Sequence, residues 1–399
     1  MSVLRLLAPD GSLSDAELRD GAGYTRPTAP LRSRVAYAAA HVVPKVHGDN
    51  TPGRPADIDW DATLAFRRHV YSWGLGVADA MDTAQRNMGL DPAAVRELIA
   101  RSAEVARDED ASVVVGVNTD HVDEERLPLD RVIDAYKEQL HFTEEHGAGP
   151  VLMASRHLAR AATTSDDYRR VYGEVLASAS VPVVLHWLGP AFDPELDGYF
   201  GARDWQTASS VLLDIIGEHP DRVAGVKMSL LNAESEVSVR ERLPVGVRMF
   251  TGDDFNYVGL IGGDSLPSGP APAGGHSDAL LGAFAAITPV ASAAIQALDA
   301  GDPQRYLDVL GPTEELSRQV FAAPTPYYKT GVAFLAWLNG HQPAFQMVGG
   351  LHSARSLPHL SRIVELANAA HALEDPELAR ERWHGMLALN GVDLGAVQA

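Results

Sequence analysis

The sequence predicts an α/β protein, a (β/α)8 TIM barrel followed by a C-terminal helical extension. Eight short apolar runs recur at intervals of roughly 25 to 45 residues, and amphipathic segments with helix signals lie between them. The runs are continuously apolar, which is typical of parallel strands that are covered on both faces. This alternation of strand and helix favours a closed parallel barrel.

The elements follow one another in this order along the chain. The predicted strands lie within residues 34–44, 75–81, 112–118, 149–155, 181–187, 223–229, 247–254 and, more weakly, 276–284. The predicted helices between the early strands lie within residues 59–74, 90–107, 130–147, 165–178 and 204–220. In the second of these helices Asp91 can cap the first turn, and Pro92 occupies the first helical position.

We predict three regions: an N-terminal segment at 1–30, the barrel at 31–300 and the helical extension at 301–399. The stretch "GGDSLPSGPAPAGG" at 262–275 is too rich in glycine and proline for regular structure. It follows the seventh strand, so we expect either a mobile loop over the barrel mouth or a plain surface connection. The apolar segment "PYYKTGVAFLAWLNG" is expected to be a core helix.

Composition limits the classes of partner. The charge of −20, from 33 basic and 53 acidic residues, disfavours nucleic acid and anionic membranes and favours a small-molecule substrate. The absence of cysteine excludes disulfides, thiol nucleophiles and cysteine metal sites. No signal peptide or membrane-spanning run is evident, so we expect a cytoplasmic protein.

Lysine is rare, because only four of the basic residues are lysines. Lys137 is expected on a solvated helix face, and Lys45 and Lys329 are expected to be loop or snorkelling lysines. Lys227 differs because it lies in the buried strand "VAGVKMS". Burial lowers the pKa of an amine and produces the neutral nucleophile that carbonyl chemistry needs. The local sequence alone also permits a lysine that is ion-paired in the barrel core.

Polar side chains follow several predicted strands at the point where each strand ends. Catalytic groups of such barrels cluster at these carboxyl ends. The residues concerned are Asp82, Thr83, Asn118 to His121, Ser155 to His157, His186, Lys227, Ser229, Asp253 and Asp254.

Three motifs carry a resemblance to a known family. "GVKMS", "PVVLHWLGPAF" and "FTGDDF", in this order and spacing, resemble motifs of the dihydrodipicolinate synthase and N-acetylneuraminate lyase family, which are class I aldolase-like barrels. The resemblance covers about residues 30 to 345 and indicates a divergent branch. It implies that Lys227 forms a Schiff base with the substrate, that no cofactor or metal is needed, and that the protein is a homodimer or homotetramer.

The same resemblance identifies two departures. His186 matches a tyrosine that relays protons in the family, and a histidine is suited to that work. Thr83 matches the first of two threonines, whereas Ala84 replaces the second, which helps to hold the carboxylate of a 2-oxo acid in the family.

We therefore predict a lyase or aldolase, or a dehydratase, that acts on a small hydroxylated or sugar-derived oxo compound. Lys227, His186 and Thr83 are the predicted catalytic residues. The predicted substrate-binding residues are Asp82, Asn118, Asp120, Trp187, Ser229, Asp253 and Asp254.

Two other functions stay open. One is a metal-dependent barrel isomerase or hydrolase, since imidazole and carboxylate groups suit zinc or manganese. Its candidate ligands are His121, His186, His276, Asp253, Asp254 and Asp278. The other is a barrel that binds a ligand without catalysis.

Overall fold

The fold is a barrel of eight parallel strands that closes on itself. The computed structural model describes residues 2–82, 85–267 and 275–395. An antiparallel hairpin comes first, formed by β1 (Val3–Leu7) and β2 (Leu13–Glu17). The barrel strands are β3 (Ala36–Ala39), β4 (Gly76–Asp79), β5 (Val113–Val117), β6 (Gly149–Met153), β7 (Val183–Leu188), β8 (Val223–Ser229), β9 (Arg248–Thr251) and β10 (Asp278–Leu281). Each pairs with the next along the chain, and β10 pairs with β3.

Helices connect the strands and surround the barrel. They are α1 (Trp60–Ser72), α2 (Pro92–Asp108), α3 (Leu129–Glu145), α4 (Arg156–Ala161), α5 (Ser165–Ser178), α6 (Trp205–Glu218), α7 (Ala233–Arg240), α8 (Tyr257–Gly262), α9 (Ala283–Ala286) and α10 (Thr288–Asp299). Asp91 caps α2 by accepting a hydrogen bond from the Ala94 amide, as predicted. Each predicted strand segment overlaps an observed strand, and only β7 extends past its segment, by one residue, so the predicted fold class is confirmed.

Side chains alternate along each strand between the barrel interior and the surrounding helix layer. In β8, Val226 and Met228 pack in the outer core, so Lys227 and Ser229 face the interior. In β7, Val184 belongs to the interior cluster, and His186 lies two residues further along the same face. This period of two therefore positions the polar residues of β7 and β8 inside the barrel, close to its carboxyl end.

The C-terminal extension contains α11 (Pro303–Leu310), α12 (Thr313–Val320), α13 (Tyr328–Leu338), α14 (Leu357–Ala369) and α15 (Pro376–Leu389). Ten of the eleven residues of α13 are buried, as expected for a core helix. The N-terminal hairpin packs against this extension: the Trp383 indole donates a 2.7 Å hydrogen bond to the Arg5 carbonyl. The division of the chain into three regions, with boundaries after residues 30 and 300, stays a prediction. Among the described residues, none of the helices combines the length and apolarity that crossing a bilayer requires.

Residues 262–275 were predicted to form either a loop over the barrel mouth or a plain surface connection. The structure describes only the two flanks of this segment, residues 262–267 and residue 275. Residues 268–274 lie outside the described residues. Arg34, just before β3, donates hydrogen bonds to the Ile261 and Gly262 carbonyls and to Ser265. These flanks therefore lie at the end of the barrel where strands begin. The described flanks do not lie over the mouth, because α8 follows β9 and returns the chain to the start of β10.

Candidate active site

Lys227 lies inside the barrel near its carboxyl end. Its side chain is 6 % exposed, and in the strand register it lies opposite His186 of β7 and Phe250 of β9. Gly252 follows β9 and leaves the space that the lysine stem occupies. A Cβ atom at this position would lie 2.8 Å from Lys227 Cε and 2.2 Å from Ser229 Oγ, so glycine is the residue that fits.

Burial determines the charge state of this lysine. Removal from water disfavours the ammonium form and lowers the pKa of Lys227, and the negative charges of Asp82 and Asp254 oppose this shift without reversing it. A larger population of neutral amine follows, and the neutral amine is the form that attacks a carbonyl carbon.

Asp254 shows the corresponding shift for a carboxyl group. It is 4 % exposed, and burial raises its pKa to about 8, although the Ala283 amide donates to Oδ1 at 3.0 Å and the Lys227 charge favours the ionised form. An amine with a lowered pKa and a carboxyl with a raised pKa compete for the same proton. The barrel interior can therefore hold a neutral nucleophile and a neutral proton donor together.

His186 completes the group. It is 1 % exposed, and its Nε2 atom lies 3.1 Å from Ser229 Oγ. Burial, together with the nearby Lys227 charge, lowers the pKa of His186 well below 6.5, so the imidazole is neutral. Its other nitrogen, Nδ1, is buried and has no hydrogen-bond partner among the described residues.

A cavity of about 530 Å3 opens at the carboxyl end of the barrel. Asp82 and Asn118 line it from the barrel side, and Tyr328 and Lys329 line it from the first turn of α13. The Tyr328 hydroxyl donates a 3.4 Å hydrogen bond to Asp82 Oδ2. Because the Asp82 charge also acts on Lys227, this carboxylate links the cavity wall to the buried lysine.

Other predicted site residues are engaged elsewhere. Trp187 faces the helix layer, where its ring meets Phe200 edge-on at 5.4 Å between centroids. Both carboxylate oxygens of Asp253 are occupied, one by the Phe255 amide at 2.9 Å and one by the Asn256 side chain at 2.8 Å.

Two further predicted residues lie at the cavity wall. Asp120 accepts two hydrogen bonds from Arg86, at 2.7 and 2.6 Å. Burial by itself would raise the pKa of Asp120, but the charge and hydrogen bonds of Arg86 outweigh this effect, so the pKa is lowered. Asn118 accepts a hydrogen bond from the Thr119 amide at 2.7 Å. Thr83, a predicted catalytic residue, and Ala84 lie outside the described residues.

The six candidate metal ligands do not converge. His121 Nδ1 lies 2.7 Å from the Gln139 amide nitrogen, and His276 Nδ1 lies 3.8 Å from Asp264. Asp278 accepts from Arg248 at 2.6 Å where β9 and β10 begin, at the opposite end of the barrel. Within residues 2–82, 85–267 and 275–395, the one cluster with spacing suited to a metal is elsewhere, on α1 and after α13: His69, His341 and Glu374.

The four lysines fall into two classes. Lys45 is exposed and pairs with Asp57 at 2.7 Å, and Lys137 lies on the outer face of α3, as predicted. The expectation for Lys329 was wrong, since its side chain is buried and 2 % exposed. The uninterrupted apolar segment that follows it, "TGVAFLAWL", was the available signal, because a helix buried on all sides buries its lysine too.

The sequence profile of a family described as a protein of unknown function, DUF993, matches residues 4–392. The chain belongs to the DUF993 family. No curated protein sequence matches this DUF993 member significantly.

Solved structures similar to this DUF993 chain include dihydrodipicolinate synthases. The enzyme from Aquifex aeolicus is 14% identical in sequence, with a TM-score of 0.61. The match covers 84% of this chain and 99% of that enzyme. The enzyme from Thermotoga maritima is 13% identical in sequence, with a TM-score of 0.59. The match covers 85% of this chain and 100% of that enzyme. The similarity in fold that the three motifs predicted is confirmed, since the dihydrodipicolinate synthase barrel is the fold of this DUF993 member.

Proposed function

We propose that the protein is a Schiff-base-forming lyase or aldolase that acts on a small oxo compound through an iminium on Lys227. The observation that carries the proposal is the environment of this amine: a lysine in the barrel interior, with a lowered pKa, beside a neutral imidazole and a carboxyl whose pKa is raised. The dihydrodipicolinate synthase name of the structural relatives supports the same class of reaction.

The proposed steps begin with attack of the neutral Lys227 amine on the carbonyl carbon of the substrate. A proton moves to the carbonyl oxygen, and the nitrogen of the carbinolamine loses a proton; water then leaves and an iminium remains. Asp254 in its protonated form supplies the proton to the departing hydroxyl, and His186 Nδ1 accepts a proton from nitrogen or carbon.

The iminium then acts as an electron sink. In an aldolase, the electrons of the bond between the α and β carbons move into the iminium to give an enamine, and His186 accepts the β-hydroxyl proton as the carbonyl fragment leaves. In a dehydratase, His186 accepts a proton from the α carbon, and the enamine expels the β-hydroxyl as water with a proton from Asp254. Protonation of the enamine carbon and hydrolysis of the iminium release the product and restore the Lys227 amine.

Borohydride trapping tests this proposal. The protein is incubated with a panel of 2-oxo acids, keto-sugars and aldehydes, the mixture is reduced, and the added mass is located by peptide mass spectrometry. We expect an irreversible adduct on Lys227 and its loss in Lys227→Ala. Lys137→Ala is the matched control, because Lys137 lies on the outer face of α3 and should not affect trapping. Full turnover of a true substrate by Lys227→Ala would refute the mechanism.

The proposal includes two properties that the fold alone leaves open: a homo-oligomeric assembly, which the resemblance implies, and a cytoplasmic location, which the sequence analysis predicts. Light scattering of the purified protein at several concentrations measures the first. A single monomer mass at every concentration would contradict it. Fractionation of the source cells measures the second.

A further inference from the structure

Lys329 is a buried cation at the barrel mouth that the proposed chemistry on Lys227 does not use. It lies on the first turn of α13, is 2 % exposed and lines the cavity. Its hydrogen-bonding contact within the described part of the chain is the Met88 thioether, with Nζ and Sδ 3.7 Å apart. An ammonium has three donors, whereas a thioether is a weak acceptor, so the hydrogen-bonding capacity of Lys329 is largely unused.

The other cationic side chains of this cavity are already neutralised. Three arginines line it, and each forms an ion pair with a carboxylate: Arg86 with Asp120, Arg156 with Asp193, and Arg160 with Glu195. Lysine side chains are almost never fully buried unless they are paired. Lys329 therefore differs from its neighbours, because its counter-charge is not supplied by a hydrogen-bonded carboxylate.

The backbone around Lys329 also favours an anion. α13 has eleven residues, and the first turn of a helix carries a partial positive charge that repels a cation and attracts an anion. Tyr327, the N-cap residue, makes no side-chain capping hydrogen bond. Burial lowers the pKa of Lys329 to about 8, with the Asp82 charge opposing the shift, so at neutral pH much of the population still carries a charge.

We propose that Lys329 binds an anionic group of the substrate, a carboxylate or a phosphate, while the carbonyl of the same molecule reacts at Lys227. Asp82 and Lys329 line the same cavity, where Asp82 accepts the hydrogen bond from Tyr328, and the negative charge of Asp82 also acts on Lys227. The remaining cavity wall is acidic, with Asp123, Glu124 and Glu125 among its residues, and would repel an anion elsewhere. The substrate class is therefore a small anionic oxo compound. The assignment of the carbonyl end rests on the proposed function.

The first test does not depend on Schiff-base chemistry. In protein labelled with 13Cε-lysine, the four lysines give a small set of resonances, and Lys329→Met assigns the Lys329 signal. Malonate and inorganic phosphate are added separately to the wild type and to Lys227→Ala. We expect one anion to shift the Lys329 signal with saturation and to raise the pKa of this lysine in both proteins. The Lys137 signal is the control and should not saturate. No saturable change at Lys329 with either anion would overturn the proposal.

The second test measures selectivity. Trapping at Lys227 is compared for pyruvate with its neutral amide, and for dihydroxyacetone phosphate with dihydroxyacetone. In Lys329→Met we expect trapping of one anionic member to slow by about 10- to 100-fold, the usual range for loss of a charged hydrogen bond, with the neutral partner unchanged. If trapping of pyruvate slows, the group bound by Lys329 is a carboxylate; if trapping of dihydroxyacetone phosphate slows, the group is a phosphate.

Three outcomes of the second test have different meanings. An equal loss for charged and neutral probes in Lys329→Met would show a structural role and overturn the anion proposal, as would an adduct on Lys329 itself. No adduct with any probe in the wild type would instead contradict the proposed function, and the resonance measurement would then decide the anion proposal alone. Lys137→Met is the matched control for loss of a lysine charge.

Discussion

At the scale of single residues, the site is controlled by burial of groups that would otherwise be charged. Lys227, His186 and Asp254 each lose hydration inside the barrel, and each shifts its pKa towards the neutral form. The barrel interior thus favours a neutral amine, a neutral imidazole and a neutral carboxyl group. Shifts of this kind occur at functional sites more often than elsewhere, which supports the proposed role of this group.

Gly252 provides a test of how tightly the lysine is positioned. In Gly252→Ala the new methyl group would meet Lys227 Cε at 2.8 Å and Ser229 Oγ at 2.2 Å, so the lysine stem must move. We expect trapping at Lys227 to slow by about 100-fold, as misplacement of about 1 Å can do. Gly259→Ala on α8 is the control, because a Cβ there meets nothing within 4 Å. Unchanged trapping in Gly252→Ala would show that this contact does not position the amine.

At the scale of elements, a buried ion pair joins α1 to β4. Arg67 and Asp79 are both fully buried and form two hydrogen bonds of 2.9 Å, and Ser102 of α2 donates to the same carboxylate at 2.5 Å. Arg67 also donates to the His41 carbonyl just after β3 at 2.6 Å. The pair thus connects four consecutive elements on the outside of the barrel.

Removal of one partner leaves the other as an isolated buried charge. We expect Asp79→Ala to lower the free energy of unfolding by about 3–5 kcal/mol. Glu109→Ala breaks the nearby Arg68–Glu109 pair, whose side chains are 46% and 39% exposed, and should change stability by less than about 1 kcal/mol. Denaturant unfolding of both variants measures the contrast. Equal, small effects would show that the buried pair does not stabilise the fold.

The extension contributes to the site through one helix. α13 is buried along most of its length, and its first turn brings Tyr328 and Lys329 to the cavity that the barrel strands define. Because residues near position 330 reach residues near position 80 only through tertiary packing, this contribution has no local pattern in the sequence.

At the scale of the whole molecule, the formal charge of −20 assumes that all carboxyl groups are ionised. Two buried carboxyls depart from that assumption, because burial raises the pKa of both Asp254 and Glu236 to about 8. Between their ordinary pKa values and pH 8 the folded protein therefore holds more protons than the unfolded chain. These groups lower stability as pH rises through this interval.

Glu236→Gln tests this effect, because glutamine has a similar shape and no titrating proton. Glu236 is 1 % exposed and accepts from Ser277 at 2.7 Å. We expect the variant to match the wild type near pH 4.5 and to become more stable than it as pH rises to 8, by about 4 kcal/mol. Denaturant midpoints across this range measure the difference. Glu234→Gln, an exposed neighbour on α7, should show no such trend, and a flat difference for Glu236→Gln would contradict the shifted pKa.

The sequence by itself determined the strands and their order, and it identified Lys227 and His186 as candidate site residues near the ends of two strands. Continuous apolar runs are typical of strands that are buried on both faces, and the catalytic groups of such barrels cluster at the carboxyl ends of the strands. Because both faces of these strands are apolar, only the packing of the closed barrel shows which face points to the interior.

The tertiary structure decided which polar groups meet. The outward orientation of Trp187, the occupied carboxylate of Asp253, the raised pKa of Asp254 and the burial of Lys329 depend on contacts between residues distant in the chain. Burial and hydrogen bonding are properties of the surroundings in space. A local sequence pattern therefore identifies a candidate side chain, whereas its charge state and its partners are set by the folded barrel and its extension.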